Sequence, residues 1–210
     1  MSSQSGLELR AFAMNDRMQP QFAAFVGATV EGDPPLAGMA QLYVEVGPGN
    51  EVYRLADVIL KSASVRPATL AVEREFGLLE VHSVDPSAVQ DASDAVQRHL
   101  GLDQNQRLRP KVASVQVITN VDPFEAQLIN KRRSGALLVP GRTLLVLECT
   151  PAAYIVLAAN EAEKAADIQI INVTNLGRFG RLLLSGRVDD VHAARDAAIA
   201  ALEQVEGRDW

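Results

Sequence analysis

The chain's 210 residues leave room for one large domain or two small ones, and with 48% of them apolar a sizeable core can form. A formal net charge of −6 argues against a general nucleic-acid binder, and the single cysteine, Cys149, excludes an internal disulfide and any four-cysteine metal site. The longest apolar stretch, Thr143 to Ala159, is broken by Glu148 and Pro151 and falls short of the roughly 20 residues that span a membrane, and no signal-peptide pattern follows the polar Met1 to Gly6, so the protein reads as soluble and not secreted.

In chain order, Leu7 to Met14 alternates in part and reads as a strand. Pro20 to Val30 reads as a short helix with Pro20 in its first turn. Gln41 to Val46 alternates again, with Leu42, Val44 and Val46 on one face. Val52, Leu55, Ala56, Ile59, Leu60 and Ala63 then fall on a single apolar helical stripe. Ala68 to Val72 and Leu78 to Val84 form a strand pair joined through Glu73 to Gly77. Asp85 caps a helix with Pro86 at its first position, and that helix buries Ala88, Val89, Ala92, Val96 and Leu100. After a helix stop at Gly101 comes the polar stretch Gln104 to Pro110. Val115 to Thr119 is a strand, Pro123 to Lys131 a helix, Arg142 to Glu148 a strand and Pro151 to Ala166 an alanine-rich helix. Ile168 to Val173 and Arg181 to Arg187 pair as strands. Asp189 or Asp190 caps a last helix with Val191, Ala194, Ala198, Leu202 and Val205 on one face.

The second series repeats the first. A shift of 103 positions places Pro20 on Pro123, Gly38 on Gly141, Glu45 on Glu148, Pro48 on Pro151, Lys61 on Lys164 and Phe76-Gly77 on Phe179-Gly180. Each unit is β-α-β-α-β-β-α, an α+β arrangement that suggests a small sheet with helices on one side. The expected units are residues 1–106 and 107–210. The alanines of the later helices suit close packing inside the chain.

Catalysis needs convergent polar groups, and the supply is thin. Cys149 follows an apolar run and reads as a small buried hydrophobe. Lys131-Arg132-Arg133 reads as a solvated helix end. His82 lies in an alternating strand, and His99 and His192 lie at opposite ends of their helices. His192 and Asp196 share one helix face but lack a third metal ligand, so a surface pair is the plainer reading. Gly47-Pro48-Gly49 lacks the Lys-Ser or Lys-Thr of a phosphate loop. No catalytic residue, metal site or cofactor is assigned, and the protein is not expected to be an enzyme. Between the strand pairs, Val72-Glu73-Arg74-Glu75-Phe76-Gly77 in the first unit faces Asn175-Leu176-Gly177-Arg178-Phe179-Gly180 in the second. The shared Phe-Gly with unlike residues before it marks where the copies diverge.

On these and further motifs the chain resembles the tandem-domain trimeric shell proteins of bacterial microcompartments. The motifs include Val44-Glu45-Val46-Gly47-Pro48-Gly49, Leu128-Ile129-Asn130-Lys131-Arg132 and Ala158-Ala159-Asn160-Glu161-Ala162-Glu163-Lys164-Ala165-Ala166. It looks closest to the permuted branch typified by the double-stacking carboxysome shell trimer. The resemblance implies two tandem permuted ferredoxin-like shell domains. It implies a homotrimer that forms a pseudohexameric tile, with stacking of two trimers allowed, in the cytoplasmic shell of a microcompartment. Its partners would be shell hexamers and pentamers, and small metabolites crossing a central pore, with no nucleic acid and no membrane.

The resemblance also implies that Glu73 and Arg74 gate the pore, with Glu75, Phe76 and Gly77 in the same loop. Leu176, Gly177, Arg178, Phe179 and Gly180 would form a second pore loop, and Lys61 and Lys164 would sit on tile edges. Glu75 departs from the small residue expected after Glu-Arg and adds negative charge near the pore. A small-molecule-binding sensor built from duplicated α+β domains is the alternative.

Overall fold

The computed structural model describes residues 7–210; Met1 to Gly6, the segment read as lacking a signal peptide, lies outside them. The first unit runs β1 (Glu8–Asn15), α1 (Pro20–Thr29), β2 (Ala40–Gly47), α2 (Glu51–Ser62), β3 (Arg66–Glu73), β4 (Phe76–Ser83) and α3 (Pro86–Leu100). A short 3-10 turn at Gln104–Gln106 precedes the second: β5 (Lys111–Ile118), α4 (Pro123–Asn130), β6 (Thr143–Thr150), α5 (Ile155–Ala165), β7 (Ile168–Thr174), β8 (Gly180–Gly186) and α6 (Val188–Glu203). Each unit is a four-stranded antiparallel sheet, in the orders β1-β2-β4-β3 and β5-β6-β8-β7.

The repeat extends to backbone detail. Both units carry a cis peptide before the matched prolines, Pro48 and Pro151. Both carry a register irregularity in the first strand, at Leu9/Ala11 and Val112/Ser114, and in the third, at Pro67/Thr69 and Ile170/Asn172. Two details of the expected elements change. The last helix starts at Val188 after Arg187, so Asp189 and Asp190 stand in its first turn, where they complement the helix dipole without acting as the cap. The Pro151 helix opens as a 3-10 turn, Ala152–Tyr154, before α5 begins. Asp85 does cap α3, accepting from Ser87 N at 2.9 Å.

Strand residues alternate between faces, so each sheet has two burial problems. In the first unit Leu42, Val44, Val46, Leu79 and Val81 pack on α2 and α3. In the second, Leu145, Leu147, Leu182 and Leu184 pack on α5 and α6, where Ala158, Ala159 and Ala162 of α5 and Ala194 and Ala198 of α6 are buried in the same cluster. The helices are not all on one side. Ala126 of α4, with Ile129 at its border, joins a small cluster with Leu144 and Ile171 on the far face of the second sheet, because Leu144 points opposite to Leu145.

The far face of the first sheet is covered differently. Ala11, Ala13, Tyr43 and Leu78 belong to the same apolar cluster as the second unit's core, and α1 lies on β7 and α5. β1 is therefore buried along nearly its whole length, whereas β5 alternates between exposed and half-buried positions.

Candidate functional site

The β3–β4 and β7–β8 connections of one chain end at a common cavity of about 560 Å³. It is lined by Glu73, Arg74, Glu75 and Phe76 from the first unit and by Gly177, Arg178 and Phe179 from the second, with Arg10, Lys111, Thr150 and Trp210 around them. Glu73, Arg74 and Glu75 are all exposed. The Glu73 carboxylate lies so near Gly177 that a Cβ there would stand 2.8 Å from its Oε2. The two loops thus touch within one chain.

The loops share a frame and differ at the tip. Gly77 and Gly180 are buried where β4 and β8 cross the turn that opens the following helix. A Cβ would meet the Gly49 carbonyl at 2.2 Å in one unit and the Ala152 carbonyl at 2.3 Å in the other. That close approach explains why glycine follows phenylalanine in both copies. At the tip, Arg74 adopts φ 54° and its counterpart Gly177 φ 98°. A left-handed conformation costs a side-chain-bearing residue roughly 1–2 kcal/mol and glycine almost nothing. Leu176 packs against the second unit's core and pins its loop, while Glu73, at the matching position, is exposed.

Behind the first loop stands Arg10. Its guanidinium lies 3.6 Å above the Phe76 ring, donates from Nε to Glu45 at 2.8 Å and contacts Glu8 at 3.1 Å. The other Glu45 oxygen accepts from Ala153 N at 2.9 Å, at the start of the second unit's helical segment. Burial pushes the Glu45 carboxyl above its ordinary pKa, against the lowering effect of these two bonds. Burial also acts to raise Glu8, but Arg208 and Arg10 outweigh it and hold Glu8 below the usual range. The Trp210 ring lies 5.7 Å from Arg10 and 5.2 Å from the Lys111 ammonium, and its Nε1 donates to the Arg109 carbonyl. Arg10, Lys111, Thr150 and Trp210 were not among the expected site residues. They come from sequence-distant strands and the C-terminal segment, and only the tertiary fold joins them.

Lys61 and Lys164 are exposed on matching turns of α2 and α5. Lys61 pairs with Asp57 at 2.6 Å and Lys164 with Glu161 at 3.3 Å. Cys149 is buried, and burial raises its thiol far above the ordinary value, as for a packing residue. Arg132 and Arg133 are exposed beyond α4. Asp196 accepts from Arg195 at 2.7 Å and not from His192.

Sequence reading assigned no partners to His82, and it has them. It is buried beside Glu80, with Nδ1 at 3.2 Å from one carboxylate oxygen, and its Nε2 stands 3.3 Å from Asp33. Gln41 and Ala68 N also donate to Glu80. Burial disfavours charge on His82, but the Glu80 and Asp33 carboxylates outweigh that and raise its pKa. Among the described residues no group of three or more His, Cys, Asp or Glu is placed to hold a metal, and no helix is long and apolar enough to cross a membrane.

The CsoS1D N-terminal domain family matches residues 9–106 and the BMC domain family residues 143–208. The carboxysome shell protein CcmP of Synechococcus elongatus is 47% identical over 204 residues, covering 97% of this chain and 96% of the relative. The carboxysome shell protein CsoS1D of Prochlorococcus marinus is 41% identical over 200 residues, covering 95% and 78%. Among solved structures, the double ringed trimeric shell protein MSM0271 of the RMM microcompartment superposes with a TM-score of 0.93 at 35% identity, covering 97% of this chain and all (100%) of that one. The fused permuted hexameric shell protein MSM0275 of the same microcompartment superposes with a TM-score of 0.91 at 42% identity, covering 95% and 100%.

Proposed function

The chain belongs to the family of tandem-domain microcompartment shell proteins that includes CcmP and CsoS1D, and from that premise we propose that it forms a homotrimeric, six-unit tile of a microcompartment shell in the cytoplasm, with a central pore gated by Glu73 and Arg74. The boundary between its units falls after residue 106. Its role is structural and permissive: it fills the shell and passes small metabolites, without chemistry of its own. Lys61 and Lys164 lie on the tile edge, where other shell proteins meet it.

The observation that carries this reading is the meeting of both hairpin loops of one chain at a single cavity, with Glu73 against Gly177. Three chains around an axis would bring three such pairs together. Glu73 of one chain and Arg74 of the next would then close the aperture with charge-assisted hydrogen bonds. Like charges converge in that state as well, which keeps it close in energy to an open one.

The backbone supports a gate in the first unit alone. Arg74 is held in a left-handed conformation that disfavours a side chain, so its loop has a strain to release by moving. Gly177 has no such strain, and Leu176 is fastened to the core. Glu75 and Arg178 set the charge of the lumen rim. The test is the double variant Glu73→Ala/Arg74→Ala. It should keep the mass of the wild-type assembly and show a permanently open aperture by crystallography or cryo-electron microscopy. A closed pore in that variant would remove the gate assignment.

A further inference from the structure

We propose that Arg10 is the positioning residue of the Glu73–Arg74 turn: its buried guanidinium holds that turn from behind, through Phe76, and ties it to the second unit and to the C-terminal segment. The inference rests on the gate reading and deepens it by naming the residue that sets how freely the turn moves.

The placement begins with the backbone. In β1 the register with β2 slips between Leu9 and Ala11, so Arg10 is the extra residue of a β-bulge. A bulge bends its strand and re-aims the side chain it carries. Arg10 is only 6% exposed, and a buried charge needs partners. Its Nε donates to Glu45 at 2.8 Å, its Nη1 donates to Glu8 at 3.1 Å, and its guanidinium carbon lies 3.6 Å from the centroid of the Phe76 ring. Gly47 in β2 lies against both stacked groups: a Cβ there would stand 3.6 Å from Arg10 Cδ and 3.6 Å from the Phe76 ring. Glu73 and Phe76 are the last pair of the β3–β4 ladder, so a Phe76 free to move would loosen the turn between them.

The repeat supplies a built-in comparison. The second unit keeps the bulge, between Val112 and Ser114, but fills it with Ala113, which is exposed. Glu148, the counterpart of Glu45, receives Arg181 across the strand pair, where the first unit has the apolar Leu78. Thr150 stands in place of Gly47. Phe179, the counterpart of Phe76, is 39% exposed, and its cation is Arg178 of its own turn, 5.4 Å away. That second loop is fastened at its tip by Leu176 and relaxed there by Gly177. In the first loop the matching residues are the exposed Glu73 and Arg74, the latter at a φ of 54°. The buried arginine thus stands behind the loop that lacks the leucine.

Further contacts make Arg10 a junction. The other Glu45 oxygen accepts from Ala153 N at 2.9 Å, so the clamp reaches the second unit. Glu8 also accepts from Arg208 Nη2 at 2.6 Å. Arg208 belongs to a segment that pairs with the linker between the units: its N–H donates to Arg107 O at 2.8 Å and its carbonyl accepts from Arg109 N at 2.9 Å. Gly207 suits that pairing because a Cβ would stand 2.6 Å from the Arg107 carbonyl. Lysine could not replace Arg10 here. A planar guanidinium stacks on a ring while donating to carboxylates, whereas an ammonium is a point charge.

The test is hydrogen–deuterium exchange read by mass spectrometry on the assembled full chain. Peptides covering Glu73–Gly77 report the turn, and those covering Asn175–Gly180 serve as the internal reference. Phe76→Leu leaves the ion pairs of Arg10 in place, and Arg10→Lys keeps the charge. Each should speed exchange at the first loop by about 5- to 30-fold, the equilibrium factor of a desolvated cation–π contact, and leave the second loop at its wild-type rate. The double variant should exchange no faster than the quicker single variant, since both remove the same contact. Faster exchange in both loops alike would make Arg10 a general stability residue and overturn the proposal. Unchanged exchange of the first loop in Phe76→Leu, which does not disturb the buried charges, would overturn it too. That result would leave the gate reading standing if Glu73→Ala/Arg74→Ala still opens the aperture. Imaging the Phe76→Leu assembly separates the readings from the other side: a loosened turn remote from any axis keeps the positioning role and removes the gate.

Discussion

At the residue scale, the most informative side chains are polar ones in buried places. Glu80 and His82 alternate with Leu79 and Val81, yet both are buried, because Tyr43 and Gln41 lie opposite them in register and the second unit shares that face's apolar cluster. Periodicity reports which residues share a face, but not whether another unit covers it. The sign of the resulting pH dependence follows from the direction of the shift. The folded pKa of His82 is raised, so the stability it contributes is complete below the ordinary histidine value of about 6.5 and is lost as pH rises through the folded value. Melting temperatures of wild type and His82→Gln, measured from about pH 5 to about pH 9, should therefore differ most at the acid end and converge toward the alkaline end. A gap that widens with rising pH would contradict the charged-histidine account. The turn at Glu73 and Arg74, proposed as the gate, was legible as the point where the two copies diverge and through family resemblance. Arg10 was not, since nothing in a strand's alternation says which arginine will stack on a phenylalanine 66 positions away, as Arg10 does on Phe76.

At the scale of elements, the strands and long helices were legible because their periods were regular and their ends carried proline, aspartate or glycine. Legibility failed where an element's partner lies outside its own unit. α1 and α4 occupy matching positions and begin with matching prolines, yet one is buried against the second unit and the other is largely exposed. The internal repeat exposes the difference: Gln21, Phe25 and Glu163 against Phe124, Leu128 and Leu60. Glu163 is the bond that fastens α1 to the second unit, receiving two N–H groups that the helix cannot pair by itself. Glu163→Ala should lower the unfolding free energy by about 1–2 kcal/mol, the usual loss for a helix cap. Leu60→Ala, at the matching position, should leave the isolated chain almost unchanged. Chemical denaturation of both variants under monomeric conditions would measure the difference, and equal losses would refute the capping role.

At the scale of the whole molecule, one duplicated unit has been given two different jobs. The first unit buries its first strand along nearly its whole length and carries a strained, charged loop. The second leaves β5 half-exposed and α4 largely exposed and carries a relaxed loop fastened by Leu176. In the proposed three-chain ring, duplication with divergence would present two kinds of loop around one aperture, which six identical units could not do. The central claim is that Glu73 and Arg74 from every chain converge on the axis of a trimer. Cryo-electron microscopy of the purified wild-type protein tests it most directly. The account predicts particles of three chains, or two such rings stacked, with the Glu73–Arg74 turns facing one another across a central opening. Stable monomers, or an assembly whose Glu73–Arg74 turns lie on its outer rim, would contradict it.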